Sequence, residues 1–229
     1  MQLTVGSYNV HRCIGADRRC TPARIARVIA ELDVDVLALQ EVDGGYHAAG
    51  EDQFAYLAAA TGMHAVAGPT MSGDGGTYGN ALLSRDAVTA VRHVDLSVHG
   101  KEPRGAIDAD LEVGGGHVRI VVTHLGLRRF ERAMQVDQIL RSVRTAGEGR
   151  TTIVAGDLNE WRPNDRSLQA LHVRFGRSRV RTFPARRPVF AFDRILVEPT
   201  GALRSFDVHD SALARVASDH LPVKAVVAL

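Results

Sequence analysis

Aromatic side chains make up only 5% of this chain, with a single tryptophan, and cysteine occurs twice in 229 residues. So few aromatics leave little material for the basic or aromatic inserts with which a protein grips nucleic acid. Cys13 and Cys20 fall in one polar loop at a spacing that fits no zinc pattern, and a disulfide between them is not needed in a domain with this much core. The formal charge of +2 gives no basic footprint at the level of the whole chain. No apolar run reaches the ~18 residues of a membrane span, and the N-terminus enters a strand at once, without a basic region and an apolar core. A cytoplasmic protein is expected. Internal repeats and low-complexity tracts are absent too, which excludes a solenoid or a linker-rich array.

What is present is an ordinary globular composition, 45% hydrophobic and 24% charged. A chain of this size buries about 70 to 75% of its unfolded surface, enough for a self-sufficient core. The polar strand ends described below run from Asn9 to His220, so one site needs both halves of the chain, and residues 1–229 read as one domain. Periodicity predicts strands at 2–9, 35–40, 64–67, 78–84, 87–96, 105–113, 117–123, 151–156, 179–182, 189–197, 201–208 and 222–228. Helices are predicted at 21–32, with Thr21-Pro22 opening it, and at 51–61, 128–146 and 164–171. Many strands with few helices suggest an α/β (α+β) fold of two packed sheets with helices outside.

The chemistry lies where apolar strands end in polar residues. Ser218-Asp219-His220-Leu221-Pro222-Val223 sets a carboxylate beside an imidazole; a hard metal wants the first, and proton transfer or transition-state charge the second. The apolar run Thr152–Ala155 delivers Gly156-Asp157-Leu158-Asn159, whose Asp and Asn, two apart in extended chain, would point the same way. An Asx-turn closing the strand is the alternative there. The first strand ends at Asn9, and the run Val34–Leu39 terminates in Gln40-Glu41, a carboxylate at a sheet edge. Eight arginines, Arg162, Arg166, Arg174, Arg177, Arg179, Arg181, Arg186 and Arg187, crowd one segment that reads either as a solvated face or as a means of steering an anion.

Together, Ser7-Tyr8-Asn9-Val10, Leu39-Gln40-Glu41-Val42, Gly79–Ser84, Thr123-His124-Leu125, Gly156-Asp157-Leu158-Asn159, Phe192–Leu196 and Ser218–Val223 resemble the endonuclease/exonuclease/phosphatase superfamily in its order, over nearly the whole chain. The pattern looks most like the small bacterial metal-dependent hydrolases of that group. The resemblance implies a four-layer sandwich of two stacked mixed sheets flanked by helices. It implies Glu41 as a ligand to Mg²⁺ or Mn²⁺, with Asn9 and Asp219 as further ligands or supports. By the same resemblance Asp157 would deprotonate the attacking water and Asn159 would bond a phosphate oxygen. His220, oriented by Asp193, would stabilise the transition-state charge or pass a proton, and His124 and Arg104 would contact phosphate. Oxygen ligands without thiolates suit those ions better than zinc.

Asn80 could instead simply pin a bend, and His11 and Asp43 read as loop and turn residues. The expected activity is hydrolysis of a small-molecule or lipid-headgroup phosphodiester by a monomer, with at most peripheral lipid contact. Action on DNA or RNA is the alternative, not favoured by the compact, near-neutral chain, and a phosphoester-binding protein without turnover is a minor one.

Overall fold

The computed structural model describes residues 1–47, 52–144, 150–162 and 165–229. In chain order the elements are β1 (Gln2–Asn9), α1 (Pro22–Leu32), β2 (Val36–Gly44), α2 (Gln53–Thr61), β3 (His64–Gly73), β4 (Gly76–Ser84), β5 (Val88–Asp95), β6 (Gly105–Val113), β7 (Gly116–His124), α3 (Arg129–Arg144), β8 (Thr151–Asp157), α4 (Gln169–Phe175), β9 (Asp193–Glu198), β10 (Leu203–Val208), α5 (Ala214–Ala217) and β11 (Val223–Ala228). They form a six-stranded sheet, β10-β11-β1-β2-β4-β3, and a five-stranded one, β5-β6-β7-β8-β9. Both sheets are mixed, because each holds one parallel pair, β1 with β2 and β7 with β8. A helix crosses over within each pair, α1 in the first and α3 in the second.

The period-two alternation of these strands builds the layers. Val36 and Ala38 of β2 and Ile120 and Val122 of β7 join the core between the sheets. Leu37 and Leu39 turn outward to Ile25, Val28, Ile29 and Leu32 of α1, spaced as one helical stripe. Val121 and Val154 turn outward to Val136, Ile139, Leu140 and Val143 of α3. Burial on both faces explains why Val36–Leu39 reads as a continuous apolar run. Truncating Leu37, which is fully buried, to alanine would cost about 2 to 5 kcal/mol. Pro22 opens α1, and Asp52 caps α2 by accepting from the Phe54 and Ala55 N–H groups at 2.9 and 3.2 Å.

The four-layer expectation holds, with local differences. The expected strand at 179–182 does not form, and the one expected at 189–197 lacks its first four residues. Phe183 and Phe190 share a single bridge in a loop, and β9 starts only at Asp193. The segment's Val180, Phe183 and Phe190 imitate strand periodicity while packing in irregular chain. α4 starts at Gln169, later than expected, β3 continues to Gly73, and α5 was not anticipated. The expected helix starts at 51 and 164 and the expected helix end at 145–146 lie outside the described residues. Both cysteines are free thiols, Cys13 buried and Cys20 exposed. Among the described residues no helix is long and apolar enough to cross a membrane.

Candidate active site

The two parallel pairs end at the same place, and their carboxyl ends carry the polar residues. Asn9 pairs in register with Gln40 across β1 and β2, and His124 with Asp157 across β7 and β8; Asp157 in turn faces Asp193 on β9. Only glycine fits one step behind Asp157. Gly156 adopts φ 151°, and a Cβ there would lie 1.8 Å from the Thr123 carbonyl oxygen. Glu41 does not end its strand. It sits in a bulge within β2 at φ 59°, where the register with β4 shifts between Leu39 and Val42. The bulge turns one carboxylate toward β1 while the ladder resumes beyond it.

Asn159 likewise departs from expectation, because β8 stops at Asp157 and Asn159 takes φ 51°. The two are linked by an Asx-turn, with Asp157 Oδ1 accepting the Asn159 N–H at 2.9 Å. The other oxygen, Asp157 Oδ2, is the hub. It accepts from Asn9 Nδ2 at 3.1 Å and lies 3.6 Å from Nε2 of both His124 and His220. Asn9 Nδ2 also donates to Glu41 Oε1 at 2.9 Å, so one amide spans both carboxylates across the sheets. A cleft of about 530 Å³ opens here, lined by Glu41, Arg104, His124, Asp157, Asn159 and His220 among others.

The two histidines are buried, yet their surroundings drive them apart. For His220, desolvation opposes charge but is outweighed by Asp193 and Asp157 and by the 2.9 Å contact of Nδ1 with Asp193 Oδ2, lifting its pKa to about 10. The rings of Phe183 and Phe192 pack at 4.9 and 6.0 Å from it and exclude water. For His124, desolvation and the Arg104 charge outweigh Asp157 and lower the pKa to about 3. Asn159 Nδ2 donates to its Nε2 at 2.9 Å, which leaves the ring proton on Nδ1, 3.4 Å from Arg104 Nη1. His220 is thus an imidazolium and His124 a neutral ring.

Residues 6–220 match the model of the Endonuclease/Exonuclease/phosphatase family. The chain belongs to this family. It is 27% identical over 248 aligned positions to the YbhP protein of Escherichia coli, covering 97% of this chain and 95% of that one. A family structure from Beutenbergia cavernae is 25% identical, covers all of this chain and 72% of its own, and superposes with a TM-score of 0.76. One from Bacteroides vulgatus is 18% identical, covers 100% and 99%, and reaches 0.83, which bears on the fold. The family is generally one of divalent-metal-dependent phosphoester hydrolases.

Among the described residues one group of donors in this family member lies close enough together to consider for an ion, and Glu41 offers a further carboxylate beside it. Asp157, Asp193 and His220 converge within 4.8 Å and could hold an ion, although His220 Nδ1 is already engaged by Asp193 at 2.9 Å. Glu41 fits better. Asn9 occupies one of its oxygens, and no described residue donates to the other. Asn9 itself donates to both carboxylates while its Oδ1 accepts the His11 N–H at 3.0 Å, so it orients Glu41. Asp219 is placed beside His11. Its half-exposed carboxylate lies 3.7 Å from His11 Nδ1, while the preceding Ser218 hydroxyl donates to the Asn9 carbonyl at 2.8 Å.

Several family-site contacts were not legible in the sequence. The Thr182 hydroxyl donates to Asp193 Oδ2, supporting the carboxylate that faces His220. Buried Arg132 pairs with Glu160 and donates to the Gly126 and Leu127 carbonyls at 3.3 and 2.8 Å, tying the loops after His124 and Asn159 together. Asn80 pins Gly105 by donating to its carbonyl at 3.0 Å, and Asp43 Oδ1 accepts from the N–H groups of Gly45 and Tyr46; both are structural. His11 does line the cleft, whereas none of the eight clustered arginines contributes to its lining.

Proposed function

We propose that this family member is a divalent-metal-dependent phosphodiesterase acting on a small-molecule or lipid-headgroup phosphodiester. The observation that carries this reading is the convergence on Asp157 Oδ2 of one charged and one neutral histidine with the Asn9 amide. Phosphoryl transfer asks for positioning and charge neutralisation more than for covalent help. Asp157, beside the His220 imidazolium, accepts the proton of the attacking water. His220 stabilises charge on the phosphate oxygens and returns a proton to the leaving oxygen, with Asp193 holding the ring. Arg104 contacts a phosphate oxygen through its guanidinium fork. Both amide hydrogens of Asn159 are engaged, by His124 Nε2 and by the Leu125 carbonyl at 2.8 Å. A phosphate oxygen would replace His124 as the acceptor of the first, leaving that ring beside the phosphate.

Glu41 would hold Mg²⁺ or Mn²⁺, with Asn9 orienting its carboxylate and Asp219 adding negative charge nearby. When bound, the ion neutralises developing phosphate charge. The near-neutral chain and a cleft lining that includes none of the clustered arginines favour a small or lipid diester over nucleic acid. The test is a screen of the purified protein with Mg²⁺, Mn²⁺ or chelator against bis(p-nitrophenyl) phosphate, p-nitrophenyl phosphate, phospholipids and plasmid. Diester turnover that chelator abolishes is expected. Activity surviving excess chelator, or plasmid nicking that outpaces every other substrate, would overturn the reading.

A further inference from the structure

The cleft is roomy for one phosphoester, since about 530 Å³ falls well inside the range of sites that enclose a whole small ligand. Part of its wall is unused by the reaction above. The turn after β1 holds His11, Arg12 and Cys13 at φ 47°, 53° and 56°, three successive left-handed residues. Such backbone persists only where its surroundings enforce it, and it clusters where a side chain must be aimed.

Here the enforcement is explicit. The Cys13 and Ile14 N–H groups close the turn onto the Val10 and His11 carbonyls at 2.8 and 2.9 Å. Buried Gln53 donates to the Arg12 carbonyl at 2.7 Å, while its own side-chain oxygen accepts the Asp43 N–H at 3.1 Å. What the turn aims is the side chain of Arg12, which lines the cleft beside His11, His47 and Tyr78. His47 is fixed in that wall, 3.4 Å from Asp43 Oδ2 and edge-on to the Tyr78 ring at 4.6 Å.

The other arginines around the site are held by protein groups, Arg104 through one arm of the fork it offers to the reacting phosphate. Arg104 binds Glu102 at 3.2 Å, Arg132 binds Glu160, and Arg194 donates to the Asp193 and Glu160 carbonyls at 2.9 and 3.1 Å. The Arg12 guanidinium has no carboxylate or hydrogen-bond acceptor among the described residues. An unpaired fork carried into the cleft on a hydrogen-bonded turn is suited to a phosphate, which it can hold bidentately. We infer that Arg12, flanked by His11 and His47, is a second anion subsite of this cleft, so that the ester cleaved at Asp157 carries a second phosphate group. The inference rests on the phosphoesterase reading above and narrows its substrate class. A substrate without that group leaves the fork facing water and binds more weakly.

The probes are propylene and hexamethylene bisphosphonates set against propylphosphonate and hexylphosphonate, none of which can be hydrolysed. Their affinities for the full-length protein are measured by titration calorimetry with Mg²⁺ present. A bisphosphonate of one spacer length should bind about tenfold or more tighter than its monophosphonate. Arg12→Gln should erase that preference while leaving monophosphonate affinity within about twofold. Arg12→Lys, which keeps the charge without the fork, should lose most of the preference and supplies the test should the glutamine variant not fold. Equal affinities in the parent protein at both spacer lengths, or equal weakening of both ligand types in the variants, would overturn the subsite. Turnover of bis(p-nitrophenyl) phosphate by the same preparation separates the two ideas. Turnover without the preference sinks only the subsite, and the preference without turnover of any ester sinks the proposed reaction.

Discussion

His124 and His220 hold their Nε2 atoms at the same distance, 3.6 Å, from one oxygen of Asp157, yet one ring is neutral and the other charged. The difference is made on the far side of each ring. His220 turns Nδ1 to Asp193, whereas His124 turns Nδ1 to Arg104. A single carboxylate therefore faces one group able to give a proton and one that is not, the separation of roles that acid–base chemistry at a phosphate requires.

The opposite shifts make opposite contributions to stability. The folded-state pKa of His220 is raised from 6.5 to about 10, so its contribution is fully present below pH 6.5 and is lost as pH rises through 10. The pKa of His124 is lowered from 6.5 to about 3, so its contribution is present above pH 6.5 and is lost as pH falls toward 3. Urea midpoints measured against pH should thus fall on both sides of neutrality. His220→Asn should flatten the alkaline limb and His124→Asn should reduce the acid one. Identical pH profiles for the parent and both variants would refute the two protonation states.

In catalysis, Asp193 and His220 should behave as one unit. Asp193→Asn and His220→Ala are each expected to lower kcat by about 10² or more, and the double variant by far less than the product of the two. In Asp193→Asn the alkaline fall in kcat should also move down from near 10 toward neutrality, because the carboxylate that lifts the His220 pKa is gone. Multiplicative losses with an unmoved alkaline limb would mean that the two residues act independently.

Much of this was legible from strand ends. Alternation locates β1 and apolar runs locate β2, β7 and β8, and the polar residue closing a strand marks the site, as Asn9 and Asp157 do. Backbone conformation was less legible. Nothing in Leu39-Gln40-Glu41-Val42 signals that Glu41 sits in a left-handed bulge, because the apolar pattern continues past it. The loop between α4 and β9 misleads for the opposite reason: its Phe183, Phe190 and Phe192 look like strand residues, but they serve as packing around His220. Thr182 and Arg12 reach the site only through tertiary placement, so no local motif announces them.

Removal of the metal carboxylate gives a separate test. Glu41→Gln is nearly isosteric and keeps an acceptor for Asn9, so the fold should survive while Mg²⁺ or Mn²⁺ affinity drops by roughly tenfold or more and turnover falls with it. Calorimetry of metal binding in the parent and the variant checks this without reference to activity. Unchanged affinity would move the ion to another set of donors.

Gly156→Ala probes the packing that sets the Asp157 position. The added Cβ would meet the Thr123 carbonyl at 1.8 Å in a backbone conformation that alanine resists. A loss of at least about 3 kcal/mol is expected, which for a chain of this size lowers Tm by roughly 6 to 12 °C. Calorimetric melting of the variant decides it, and an unshifted Tm would show that β7 and β8 can separate freely at this point.

Salt dependence discriminates between substrate classes. Duplex DNA held by several Lys or Arg contacts releases counterions, so affinity should fall by about 10³ or more between roughly 50 and 200 mM salt if six or more phosphates are contacted. A small diester, held by Arg104, His220 and a metal in the cleft, should show a shallow slope. The clustered arginines do not line the cleft, and Arg174 and Arg179 are engaged by Glu198 and the Trp161 carbonyl at 2.8 and 3.0 Å. Weak plasmid nicking, little salt-sensitive DNA binding and faster turnover of a small or lipid diester are therefore expected. Efficient nicking that disappears together with DNA affinity in an Arg174→Ala, Arg177→Ala, Arg179→Ala triple variant would instead identify the segment as a phosphate track and the protein as a nuclease.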